Sequence, residues 1–145
     1  MYATSDATSE SGATVLVTSS YERFSASLTG EGQLRAAAAV PDRIGAGASF
    51  HGARLVTDAA DSPHLLVPKM RARYLIAIAE NDDQREPDAK NVLRKAYGDA
   101  GLAAEIEVYA GAMHGWCALD SPVYNEAQAE RAWARLLALF ETALA

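Results

Sequence analysis

The sequence predicts an α/β fold, a parallel sheet with flanking helices. Two observations carry this. Strand-like and helix-like patterns alternate along the chain in the order strand, helix, strand, helix, strand, helix, the signature of parallel strands joined by helical crossovers. Residues 74–79, YLIAIA, form a continuous apolar run, as expected for a strand covered on both faces.

The elements follow in order. Residues 1–13 hold Ser, Thr, Ala and acidic residues with no apolar pattern, and read as a disordered lead-in. TVLVT, residues 14–18, is a short β-branched run and a strand. GQLRAAAAV, within residues 31–40, is alanine-rich and helical, and Pro41 stops it. IGAGASF, residues 44–50, is a buried strand of small residues whose glycines suit close packing against a helix. Residues 51–70 are a long connection rich in Asp, Ser and Pro. YLIAIA follows, then a polar loop over residues 80–86. A helix from about Pro87 carries Val92, Leu93, Ala96 and Tyr97 on one face and closes near Gly101. EIEVY, residues 105–109, is a strand with charges alternating outward. The last helix, about residues 125–144, has Trp133, Leu136, Leu137, Phe140 and Leu144 as its buried stripe. No repeat or internal boundary is visible, so residues 14–145 form one domain.

Composition narrows the function. The chain has 145 residues, half of them hydrophobic, and a net charge of −6. With no basic stripe to meet phosphates, nucleic acid is not an expected partner. The single cysteine, Cys117, excludes an internal disulfide. No apolar run approaches the length of a membrane span, and the first residues lack the basic start and apolar core of a signal peptide. The expected location is the cytoplasm, away from membranes.

In open parallel sheets, ligands bind beyond the carboxyl ends of the strands. Two loops leave those ends with reactive side chains. E-N-D-D, residues 80–83, follows YLIAIA, and A-G-A-M-H-G-W, residues 110–116, follows EIEVY. An acid followed by a histidine, each just after its own strand, suits nucleophilic catalysis. The histidine moves the nucleophile's proton to the leaving group, and the carboxylate fixes the ring's tautomer.

Four segments carry a family resemblance: PDRIGAGASFHGARLVTDAADSPHLL (41–66), YLIAIAENDD (74–83), EVYAGAMHGWC (107–117) and SPVYNEAQAERAWARLLALF (121–140). Over roughly residues 33–144 the chain resembles the dienelactone hydrolase family, and its fold should be the C-terminal part of an α/β-hydrolase, truncated. The resemblance implies hydrolysis of a carboxylic ester or lactone by acyl transfer, without metal or organic cofactor. It implies Asp82 as the catalytic acid, with Asp83 the lesser candidate, and His114 as the base. The order nucleophile, acid, histidine is that of α/β-hydrolases.

The family's nucleophile elbow, G-x-C-x-G-G, has no counterpart string. Counting back from PDRI without gaps places the nucleophile at Ser27, in S-A-S-L-T-G, where Ser25 and Thr29 replace glycines that relieve a strained turn. Serine can serve as the nucleophile, but Ser27 reads more readily as an ordinary surface or turn serine. The elbow is thus degraded or missing. The alternative function is a catalytically inactive remnant, a binding or structural module needing a partner chain. An exposed sheet edge would then favour a homodimer.

Other residues receive blander readings. Cys117 lies outside the elbow's order and spacing, and reads as a structural thiol. His51, after a strand end, either lines the site's mouth or is a hydrogen-bonded structural histidine. His64 is assigned no role. No H-E-x-x-H or C-x-x-C spacing occurs, so no metal site is expected.

Overall fold

The computed structural model describes residues 14–19 and 30–143. The expected lead-in over residues 1–13 lies outside them, as do Ser25, Ser27, Thr29 and Leu144.

Four strands form one parallel sheet in the order β1-β2-β3-β4. They are β1 (Thr14–Ser19), β2 (Ile44–Phe50), β3 (Arg73–Ala79) and β4 (Ala104–Tyr109). Helix α1 (Gly30–Ala39) lies between β1 and β2. A 3-10 segment, Pro63–Lys69, joins β2 to β3, and α2 (Glu80–Arg85) and α3 (Ala89–Asp99) join β3 to β4. Helix α4 (Glu126–Ala143) ends the described chain. Spatial order equals chain order, and the crossover elements pack on one face. Connections of uniform hand that always step in one direction produce this arrangement.

The side-chain alternation of the strands divides the core into two layers. On the crossover face, Tyr74, Ile76 and Ile106 meet Leu34 and Ala37 of α1, Leu55, Val67, and Leu93 and Tyr97 of α3. On the other face, Ala48, Phe50, Leu75, Ala77, Ala79 and Tyr109 meet Trp116 and α4 through Ala132 and Leu136. This double coverage explains why YLIAIA is apolar at every position rather than at every second one.

Four expectations need correction. The polar stretch after β3 is not a loop: residues 80–85 form helix α2. Its first turn carries Glu80, Asp82 and Asp83, and carboxylates there oppose the positive end of the backbone dipole. The buried face of α4 agrees only in part: Leu136 is buried and Phe140 packs on the core, but Trp133 and Leu137 are 43% and 42% exposed and Ala132 is buried in their place. Glu105 and Glu107 of β4 pair with Arg135 and Arg131 of α4 instead of simply pointing into water. Gly47 packs against the neighbouring strand, not a helix. A Cβ on it would lie 2.5 Å from the Tyr74 ring, and Tyr74 is its partner in register.

Candidate active site

The carboxyl ends of β2, β3 and β4 place three short segments side by side. The β3 segment is the start of α2. Three of its first four residues bind the loop after β4. The Glu80 backbone N–H donates to the Ala112 carbonyl at 2.8 Å, and its carboxylate accepts from the Gly111 N–H at 2.5 Å. Asn81 Oδ1 accepts from the His114 N–H at 2.8 Å. Asp82 Oδ2 lies 2.7 Å from His114 Nδ1. A carboxylate only accepts, so Nδ1 carries the proton and Nε2 keeps its lone pair. Asp83 faces elsewhere and takes the Lys90 ammonium at 2.6 Å.

The histidine loop is also fastened from below. Trp116, fully buried, stacks on Tyr109 with ring centroids 5.3 Å apart, and the Arg131 guanidinium lies 4.4 Å over the other ring partner, Tyr109. Asn125 caps α4 by accepting from the Gln128 N–H at 3.2 Å. Gln128 in turn donates to the Ala110 carbonyl at 2.9 Å. Gly115, directly after the histidine, has φ +96, a conformation that favours glycine. These ties leave the side chains of His114 and Asp82 36% and 19% exposed, open to a ligand from solvent.

A second imidazole stands beside the first. His51, at the end of β2, is 1% exposed. Its N–H donates to the Ala77 carbonyl at 2.8 Å, and its φ of +45 is unusual for a non-glycine residue. Its Nε2 is 3.2 Å from Cys117 Sγ. Its ring meets His114 edge-on at 4.7 Å and Trp116 at 5.2 Å. Thus His51 is both hydrogen-bonded and part of the cluster, and Cys117 lies next to it. His64, by contrast, pairs with Ser62 at 2.8 Å, away from these groups.

Burial is the main reason that the His51 pKa falls to about 4, with charge repulsion from His114 second. Cys117, His114, Trp116 and the Ala77 carbonyl lie against it. An unfolded histidine titrates near 6.5. Between the two values the unfolded chain binds the extra proton, so stability is full above about pH 6.5 and falls as the pH drops toward 4. Full development corresponds to about 3 kcal/mol. Urea unfolding at pH 7 and pH 4.5 should therefore show a smaller acid loss for His51→Asn than for the parent. Equal losses would show that His51 carries none of the acid sensitivity.

Two hollows border the sheet. One, of about 120 Å3, lies beside Asp82 and is lined by Arg54, Leu55, Ile78, Arg85 and Lys90 among others. The other, of about 240 Å3, lies between Arg73, Ala104 and Arg135. It opens at the amino ends of β3 and β4, the wrong end of a parallel sheet for a ligand site. Among the described residues, no three or more His, Cys, Asp or Glu side chains are grouped to hold a metal ion. Also among them, no helix is long and apolar enough to cross a membrane.

Sequence reasoning brought out Asp82 and His114, which the structure joins. Ser27 lies outside the described residues. Sequence reasoning passed over Glu80, Asn81, Asn125 and Gln128 as holders of the histidine loop. The polar run directly after a fully apolar strand was the available signal for the first two.

A parallel sheet with an acid and a histidine on successive strand-end loops is the arrangement found in α/β-hydrolases. The profile of the dienelactone hydrolase family matches residues 30–144, and the chain belongs to that family. Among solved structures, it is similar to a Klebsiella pneumoniae subsp. pneumoniae protein assigned as a dienelactone hydrolase. That match has 26% identity and a TM-score of 0.66, covering 76% of this chain and 47% of the other. It also shares its fold with a dienelactone hydrolase-like promiscuous phosphotriesterase from metagenomic libraries. There the identity is 16% and the TM-score 0.63, over 79% of this chain and 48% of that one. The chain therefore spans about half the length of these two structures. No curated protein matches it.

Proposed function

We propose that this chain hydrolyses carboxylic esters or lactones by nucleophilic acyl transfer, with His114 as general base and acid and Asp82 as its orienter. The observation carrying this reading is the 2.7 Å contact between Asp82 Oδ2 and His114 Nδ1 at the carboxyl rim of the sheet. With Nδ1 protonated and held, Nε2 is left to take a proton from a nucleophile and return it to the leaving alcohol.

The nucleophile in this reading is Ser27, three positions before α1. Packing at the start of α1 supports the assignment. A Cβ on Gly30 would lie 3.0 Å from Gly52 Cα, so the helix begins against the residue next to His51. The first residue of α1 thus lies near the rim that holds His114. Attack by the Ser27 hydroxyl on the ester carbonyl would give an acyl-enzyme and an alcohol, and water would then release the acid.

The test is turnover of p-nitrophenyl acetate together with labelling by a fluorophosphonate. The expected result is turnover above buffer and one label per chain, mapped to Ser27. Absence of turnover would overturn the catalytic reading, and a label elsewhere would overturn the choice of nucleophile.

A second reading has its own observation. Trp133 and Leu137, one turn apart on α4, are exposed, and β1 and β4 are the sheet edges among the described residues. Large apolar groups on a helix beside open edges suit a module completed by another chain, in the simplest case a homodimer. Size-exclusion chromatography distinguishes a dimer from a monomer.

A further inference from the structure

We propose that His51 is a positioning residue for His114, its buried ring fixing the orientation of the second imidazole. The inference rests on the acyl-transfer reading only for its catalytic consequence; the geometric part stands alone. The bond to Asp82 holds one atom of the His114 ring, and Asn81 holds its backbone. One side-chain hydrogen bond leaves a ring free to swing about that contact. A second contact at a different edge removes the freedom, and the His51 ring supplies it at 4.7 Å with the planes 61° apart.

His51 is built to act as such a stop. It is 1% exposed, packed on Trp116, bonded to Cys117 and tied to β3 through its backbone. Its φ of +45 is uncommon outside glycine, with histidine among the residues that tolerate it best. Strain of this kind persists where the surroundings over-determine it, and it gathers at functional sites. Burial also keeps the ring uncharged at neutral pH, so it presses on His114 without opposing the imidazolium formed in the reaction as a second cation would.

Asparagine tolerates the left-handed backbone region but is too short to reach the neighbouring ring, so His51→Asn separates the contact from the backbone strain. In nitrogen-15 NMR of the full chain, the parent should show one sharp set of His114 ring signals with a protected Nδ1–H. His51→Asn should broaden or multiply them. Turnover of p-nitrophenyl acetate should fall about 10- to 100-fold in kcat, with KM changed less than about threefold. Cys117→Ala, which keeps the ring contact, should leave the His114 signals sharp. If it broadens them while His51→Asn does not, the thiol is the positioning group and the proposal fails.

His51→Phe is the second variant if the asparagine form does not fold. It keeps a ring at the contact, so sharp His114 signals support the proposal and broadened ones in a folded protein overturn it. Parent-like signals and kcat in a folded His51→Asn would also overturn it. A parent with no ester turnover, but with His114 signals that broaden in His51→Asn, would refute the catalytic reading alone.

Discussion

Replacing His114 by alanine should lower p-nitrophenyl acetate turnover by about 10^5-fold. The size follows from the chemistry assigned to one ring. A serine hydroxyl is a poor nucleophile until a base takes its proton, and the water that releases the acyl group needs the same base in the second step. Among the described residues, no other imidazole can replace His114 in both steps. His51 is buried and titrates near 4, and His64 is engaged with Ser62. The fold should survive the change, because His114 is about a third exposed and the loop is still held through Glu80, Gln128 and Trp116. Near-parental urea unfolding combined with lost turnover would then report chemistry rather than collapse. Added imidazole should restore part of the rate, since the deletion leaves space beside Asp82. Turnover equal to the parent's would mean that the hydrolysis is background reactivity elsewhere on the surface.

The sheet was legible from the sequence because its physical signal is local. YLIAIA is apolar at each position, and the structure covers both its faces. Helix α2 was not legible for the opposite reason. It has six residues and none is buried, so no apolar periodicity exists to read. The face of α4 was legible in part: Leu136 and Phe140 meet the core as expected, but Trp133 and Leu137 do not, and the contact runs through the small Ala132 instead. A small residue lets a helix approach closely, and that depends on the surface opposite it. The 82–114 pairing was readable because strand-end loops of a parallel sheet converge. The contact between His51 and His114 was not. It depends on a left-handed turn after β2 and on burial against Trp116, both of which arise only when distant segments meet.

Asp82→Asn tests the pairing more finely, since it changes one atom and keeps the shape. A fall in kcat of about 10^3- to 10^4-fold is expected, with KM little changed. The carboxylate accepts from Nδ1–H and so keeps the lone pair on Nε2, where the nucleophile's proton must go. A carboxamide can turn its NH2 toward Nδ1. That choice moves the ring proton to Nε2 and leaves a donor where a base is needed. The ring would also lose the negative charge that stabilises it when protonated. Neither effect calls for a structural change, because Asn81 still holds the His114 backbone and the remaining loop bonds do not involve Asp82. Asp83→Asn is the control one position away. Its carboxylate pairs with Lys90 at 2.6 Å and does not reach His114, so turnover should stay within about threefold of the parent, the ion pair being a modest, partly solvated one. Adjacent acids of the same type then differ by about three orders of magnitude for one reason, the direction in which each leaves the first turn of α2. A reversed pattern, with position 83 sensitive and position 82 silent, would transfer the orienting role to the neighbouring carboxylate and require the histidine loop to be rearranged in solution.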